Sequence, residues 1–225
     1  MIKAVIFDLD DTLISERQYI ESGYNYIAKL LSKKLNMNKD LIYERLLILL
    51  NDSPNKVFDR LLEYFKVAYT RDTIFDLVKE YHNHVPTINF YDDVIPVITT
   101  IKQAGIKLGI ISDGYVTTQT NKLNVLNAQK YFDKIILTDT LGKEYWKPNP
   151  LAFEMMKDYF GIEFNEMVYV GDNPKKDFYI KKNYPIKTVR VLRKNSIYRD
   201  CEYLDGLKED MQGSDLNLLL DYILQ

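Results

Sequence analysis

The sequence predicts an α/β protein, a doubly wound parallel sheet with helices on both faces, interrupted after its first strand by a block made only of helices. Three observations carry that expectation. A short apolar run, Ala4-Val5-Ile6-Phe7, is rich in β-branched and aromatic residues, is too short for a helix and stops abruptly at acids. Helical periodicity then persists for about seventy residues with no intervening strand pattern. From Tyr91 onward, strand-like and helix-like segments alternate at the spacing of βαβ units, which implies a parallel sheet covered on both sides.

The first strand delivers Asp8, Asp10 and Asp11 with Thr12 to its carboxyl end. The helical block follows. Ile20, Tyr24, Ile27 and Leu31 recur at three- and four-residue spacing, as do Leu46, Leu47 and Leu50, then Phe58, Leu61, Leu62 and Phe65, then Ile74, Leu77, Val78 and Tyr81. Four amphipathic helices result, separated by the turn and cap chemistry of Asn51-Asp52-Ser53-Pro54 and Thr70-Arg71-Asp72. The tyrosines of this block, among them Tyr19, Tyr24, Tyr26 and Tyr43, read mostly as packing residues with a wet hydroxyl. His82 and His84, at its exit, read as surface residues.

The alternating part begins with a helix from Asp92 to Gln103, stopped by Gly105, and a strand from Ile106 to Ile111 that ends at Ser112. A helix over Val116 to Leu126, a strand over Lys134 to Leu137, a polar loop from Leu141 to Pro150 and a helix up to Tyr159 come next. The strand Met167 to Val170 ends at Gly171-Asp172, a helix is expected from Lys175 to Lys182, and a strand from Ile186 to Leu192. Residues 193–214 show no regular period, and an amphipathic helix is expected from Leu216 to Leu224.

A chain of 225 residues, 46% hydrophobic and 28% charged, has the composition of one large globular domain or one domain carrying an insert. Its formal net charge of −2 supplies no field to gather nucleic acid or an anionic membrane, so neither is expected as a partner. The single cysteine, Cys201, can form neither an internal disulfide nor a thiolate cluster, which fits a reducing compartment. Asp8 comes before any apolar stretch long enough to be expected as a signal peptide, and the most apolar helix, Leu41 to Leu50, is broken by Glu44 and Arg45. A cytoplasmic protein without a membrane segment is therefore expected.

In an open parallel sheet the carboxyl ends of the strands lie along one edge, where ligands bind. The residues ending these strands are Asp8 and Asp10, Ser112, Asp139 and Asp172. Asp8, Asp10 and Asp172 are oxygen donors suited to a hard divalent cation, and Mg²⁺ is the usual choice when waters and a phosphate complete the octahedron. Ser112 offers a hydroxyl donor and Lys147 a compact positive charge, both fit to hold phosphate oxygens. Bland readings stand beside these. Ser112 can simply cap the next helix, Lys143 competes with Lys147, and Asp11, Asp113 and Asp139 suit turns. Trp146 is either loop packing or a wall of the pocket.

Four segments, in order, resemble the motifs of the haloacid dehalogenase superfamily, of the kind with a helical cap inserted after the first motif. They are Asp8-Leu9-Asp10-Asp11-Thr12, Ile110-Ile111-Ser112-Asp113-Gly114, Lys147-Pro148-Asn149-Pro150 and Gly171-Asp172-Asn173-Pro174-Lys175-Lys176-Asp177. The resemblance implies a Rossmann-like catalytic core made of residues 1–14 and 89–225 and a cap made of residues 15–88. It further implies an Mg²⁺-dependent phosphatase that hydrolyses a small phosphorylated metabolite through an aspartyl phosphate. Asp8 would be the nucleophile and Asp10 the acid and base. Ser112 and Lys147 would hold the phosphate, and Asp8, the Asp10 carbonyl and Asp172 the metal. Asp177 would stand behind them, orienting a metal water or Lys147. A sugar-phosphate mutase shares these motifs. A dehalogenase has no need of Asp10, and no cap lysine among Lys29, Lys33 and Lys56 has the apolar setting of a phosphonatase Schiff base. A non-catalytic, phospho-accepting or metal-bound interaction module is the reading of another class, although a receiver's acceptor follows an interior strand and carries no helical insert. Arg17, Tyr19, Lys56 and Arg60 are the cap's candidate substrate contacts.

Overall fold

A computed structural model of the chain describes residues 1–194 and 196–223. The chain divides into two compact units, one of Met1–Glu16 with Ile88–Gln225 and one of Arg17–Thr87.

The first unit is built on a six-stranded sheet. Its strands are β1 (Ala4–Phe7), β2 (Lys107–Ser112), β3 (Lys134–Leu137), β4 (Met167–Gly171), β5 (Lys187–Val191) and β6 (Met211–Gly213). They lie in the order β3-β2-β1-β4-β5-β6, and every pair is parallel. Chain direction across the sheet therefore reverses at the β1/β4 junction, the switch point where a doubly wound sheet opens a crevice at its carboxyl edge. Register keeps that edge level, since Phe7 lies beside both Ile110 and Val170. Asp8 thus follows β1 at the height where β2 nears Ser112 and β4 nears Asp172.

Both faces are covered, as a buried parallel sheet requires. Ala4, Ile6, Ile111 and Tyr169 pack on one side against Ala152, Phe153 and Met156 of α7 (Leu151–Phe160). Val5, Phe7, Leu108, Ile110, Val168 and Val170 alternate to the other side and are fully buried. There α5 (Val94–Gln103) brings Val97, Ile98 and Ile101, and α6 (Val116–Val125) follows β2. Phe153 meets Tyr169 edge to face, with ring centroids 4.8 Å apart, a geometry worth about 0.5–1.5 kcal/mol beyond its buried area. That packing sets the axis along which the Tyr169 hydroxyl points.

The second unit consists of helices. It contains most of α1 (Glu16–Leu35), then α2 (Lys39–Asp52), α3 (Val57–Tyr64) and α4 (Arg71–Asn83), close to the four expected periods. Tyr24, Ile27, Leu31, Ile42, Leu46, Phe58, Leu61, Leu62 and Leu77 make its core. His84, expected at the surface, is buried. Its Nδ1 lies 2.5 Å from the Tyr81 carbonyl, and its ring packs on Tyr19 and Tyr26.

Three further expectations need correction. Residues 175–182 form turns and a short 3₁₀ segment, Tyr179–Lys182, in place of a regular helix. The Asp177 carboxylate accepts the Asn173 amide, and the Pro174 carbonyl accepts the Leu204 amide. Such side-chain closure competes with helical bonding. In the segment without a period, β6 pairs with β5, helped by the Asp210 carboxylate that accepts the Thr188 amide at 2.7 Å. The last helix, α8, spans Leu218–Ile223, and Leu224 lies outside the described residues. Among those residues, no helix is long and apolar enough to cross a membrane.

Candidate active site

β1 ends where its backbone is still held by its neighbour, for the Asp8 amide donates to the Val170 carbonyl at 2.8 Å. The chain then folds back, with the Leu13 and Ile14 amides donating to the Leu9 carbonyl. Asp11 takes φ 51° within this turn, a left-handed conformation that short polar residues tolerate better than most. Its Oδ1 accepts the amide of Glu16, the first residue of α1, at 3.0 Å. Asp11 therefore serves the turn and the helix start.

Lys147 lies at the centre of the carboxyl edge and is fully buried. Its Nζ is 2.6 Å from Asp8 Oδ1, 2.9 Å from Asp177 Oδ1 and 2.7 Å from the Tyr169 hydroxyl. The Lys147–Pro148 peptide is cis. The loop carrying Lys147 is fixed by Asp113, whose Oδ1 accepts the Lys147 amide at 3.1 Å and the Thr138 hydroxyl at 2.8 Å. The other oxygen of Asp113 accepts Lys176 Nζ at 2.7 Å. Burial pushes Asp113 up, but Lys147 and Lys176 outweigh it and hold this carboxyl below its ordinary value. Lys143 lies instead over the Tyr115 ring, so the choice between the two lysines falls to Lys147 as the neighbour of Asp8.

Gly171 permits the closest approach in this part of the molecule. A Cβ there would collide with Asp177 Oδ2 and would stand 2.7 Å from its Cγ, so only glycine lets β4 pass beside that carboxylate. Asp172 follows at once, and its Oδ2 accepts the Ser196 hydroxyl at 2.6 Å.

Oxygens of Asp8, Asp172 and Asp177 all lie within 4.8 Å of one another, and all three residues are buried. Burial pushes Asp8 up to about 6, against the pull of Lys147 and with Asp177 adding to the rise. Burial, then Asp177 and Asp8, push Asp172 well above the usual carboxylate range. Burial alone would lower Lys147, yet Asp177 and Asp8 hold it well above its ordinary value. Lys147, with Lys176 exerting a weaker pull on Asp8, thus stands against a cluster of three carboxylates, and the excess negative charge is what a divalent cation relieves. The donor chemistry fits such an ion. Asp177 is engaged at both oxygens, by Lys147 and by the Asn173 amide, whereas Asp8 Oδ2 and Asp172 Oδ1 have no hydrogen-bond partner among the described residues. Hard oxygen ligands about this far apart suit an octahedral ion with oxygens at roughly 2.0–2.1 Å.

Ser112, 1% exposed, is too deep to cap α6, which begins after Tyr115. Asp139 accepts the Val116 amide and the Trp146 indole N–H, which makes both structural parts of the loop. In the helical unit, Arg60 binds Asp52 and two backbone carbonyls, Arg17 binds Glu21 and Asn51, and the Tyr19 hydroxyl donates to the Tyr81 carbonyl. Sequence reasoning missed Gln119, Lys122, Tyr169, Lys176 and Ser196. Gln119 and Lys122 both reach Asp10, at 2.9 and 2.7 Å.

A buried aspartate–lysine pair beside an acidic cluster, set at the switch point of a doubly wound sheet, is a site suited to charged phosphoryl groups. Residues 5–191 match the model of the haloacid dehalogenase-like hydrolase family, and the chain belongs to that family. It is 31% identical to the glyceraldehyde 3-phosphate phosphatase of Methanocaldococcus jannaschii, over 99% of this chain and 97% of that one. It is 28% identical to the pyrophosphatase PpaX of Halalkalibacterium halodurans, over 84% and 83%. A solved phosphatase of the same family from Thermococcus onnurineus aligns over 99% of this chain and 98% of its own, with TM-score 0.63 and 26% identity. YfnB of Bacillus subtilis, solved with magnesium bound, aligns over 99% and 98% with TM-score 0.67 and 16% identity, which is a likeness of fold.

Proposed function

We propose that this protein hydrolyses a small phosphorylated metabolite with Asp8 as nucleophile, Mg²⁺ as cofactor and Asp10 as proton carrier. The observation that carries the reading is the buried contact of Asp8 with Lys147 inside a cluster of three carboxylates. An Asp8 oxygen attacks phosphorus, the bond to the leaving oxygen breaks, and an aspartyl phosphate forms, which divides one difficult displacement into two. Asp10 gives its proton to the leaving oxygen, then takes one from the water that attacks the aspartyl phosphate. Ser112 and Lys147 hold phosphoryl oxygens, and Asp177 orients Lys147. Asp8, the Asp10 carbonyl and Asp172 would hold Mg²⁺, which when bound would screen the phosphate's charge from the nucleophile.

We assign residues 1–14 and 89–225 to the catalytic core and residues 15–88 to a cap that selects the substrate. Relatives named for glyceraldehyde 3-phosphate and pyrophosphate make a three-carbon phosphosugar and pyrophosphate the first compounds to try. The lone Cys201, which can form no internal disulfide, supports a cytoplasmic location. The test is Mg²⁺-dependent phosphate release from an aryl phosphate and a panel of phosphorylated metabolites. Asp8→Asn and Asp10→Asn are expected to abolish turnover, and Asp11→Asn to reduce it mildly. Absence of hydrolysis across the panel, or an Asp8→Asn variant as active as the parent, would defeat the proposal.

A further inference from the structure

Beyond the four motif segments, one pair of buried polar side chains converges on the proton carrier. Gln119 and Lys122 lie three residues apart on α6 and so share a face of that helix. Both are almost completely buried, at 1% and 3% exposure, which is rare for a lysine unless it is paired. Lys122 Nζ donates to Asp10 Oδ1 at 2.7 Å. Gln119 Nε2 donates to Asp10 Oδ2 at 2.9 Å and to Ser112 Oγ at 2.6 Å.

The chemistry of these groups fixes their roles. An amide nitrogen carries two hydrogens, and Gln119 uses one on the carboxylate and one on the serine. An ionised carboxylate only accepts, so the nitrogen, not the oxygen, of Gln119 must face it. Ser112 Oγ therefore receives a hydrogen from Gln119 and keeps its own to give. Within the chain its acceptor is the Asp113 carbonyl at a long 3.4 Å, a bond that a phosphoryl oxygen would readily replace. Each oxygen of Asp10 retains a second lone pair, so the clamp fixes the carboxyl group in place and still leaves a position for the proton it carries.

We propose that Gln119 and Lys122 are positioning residues for the phosphatase reaction. Lys122 anchors the Asp10 carboxyl, and Gln119 couples it to Ser112, orienting the serine hydroxyl as a donor to the phosphate. The inference rests on the function proposed above. It makes α6, which contains none of the four motifs, part of the apparatus for leaving-group protonation.

The test uses the full-length protein with Mg²⁺ and a series of substituted phenyl phosphates, from p-nitrophenyl phosphate, whose leaving group needs no proton, to phenyl phosphate, whose leaving group does. The value of kcat/KM reports every step up to leaving-group release. For Lys122→Met and Gln119→Leu we expect a loss of about 100-fold on phenyl phosphate and under about 10-fold on p-nitrophenyl phosphate, the scale of general acid catalysis. Lys122→Arg should restore most of the loss. Gln119→Leu should also weaken inhibition by inorganic phosphate about tenfold, the scale of one hydrogen bond to a charged group. Equal losses along the series, or none, would overturn the proposal, because a merely structural role lowers all rates together. If one variant does not fold, the other carries the same comparison. An inactive parent protein would instead defeat the proposed function, so the two failures are distinct.

Discussion

Replacing Lys147 by Met removes the one ammonium that touches both Asp8 and Asp177 while keeping most of its volume. Lys147 and Asp177 have fully buried side chains, and that of Asp8 is 6% exposed. Removing one member of a buried ion pair costs about 3–5 kcal/mol, because the remaining charges stay buried without a partner. For a chain of this length about 1 kcal/mol lowers the Tm by roughly 2–4 °C, so a fall of about 6–20 °C is expected in metal-free protein at pH 8. The loss must shrink in acid. Asp8 already protonates at about 6 and protonates higher still without Lys147, so by pH 5.5 one uncompensated charge has gone. Trp146, the only tryptophan, lies beside the substitution in the sheet unit, and its fluorescence on heating in EDTA follows that unit. A fall of less than about 2 °C at pH 8, or an equal fall at both pH values, would refute the view of Lys147 as the counter-charge of a crowded acidic cluster.

Asp8→Asn should stabilise the metal-free protein, in a pH-dependent way. Asp8 binds its proton more tightly folded, at about 6, than unfolded, near its ordinary value of about 3.9, so its ionisation weakens the folded state as pH rises through that window. The gain from asparagine should be absent near pH 4, grow to about pH 6 and then level off; denaturant midpoints measured from pH 4 to pH 8 check it, and a gain that is flat with pH would contradict the assignment. Gly171→Ala should displace Asp177 by forcing a Cβ into its carboxylate, with turnover lost by at least about tenfold through the disturbed Lys147 and the fold retained; a crystal structure with Asp177 unmoved would count against it.

How far the amino-acid order declares this molecule depends on how local each signal is. β1 is legible because Ala4 to Phe7 and the acids after it are contiguous, and a parallel sheet follows from the alternation after Tyr91. Ser112, Lys147 and Asp172 are legible because a strand end or a loop motif marks each. Gln119 and Lys122 are not, since a polar pair at i and i+3 on a helix reads the same whether it faces water or a carboxylate 109 residues away. Tyr169 looks like an ordinary apolar strand residue until Phe153 shows which way its hydroxyl points. The residues 175–182 read as helix because propensity is blind to Asp177 closing back on the Asn173 amide. β6 escapes because Met211-Gln212-Gly213 has no alternation, and its pairing comes from Thr188 and Asp210.

The strand order of the sheet also has a consequence during biosynthesis. β1 holds the central place between β2 and β4, yet its partners begin only at Lys107 and Met167. At roughly 5–20 residues per second, β1 leaves the ribosome about 5–20 s before β2 and about 8–30 s before β4. During that interval four consecutive apolar residues lack both neighbours, while Arg17–Thr87, with a core drawn from its own residues, can fold as it emerges. A nascent chain stalled before residue 107 would present a folded helical unit on an unpaired apolar strand, which is the intermediate that a holdase chaperone would meet.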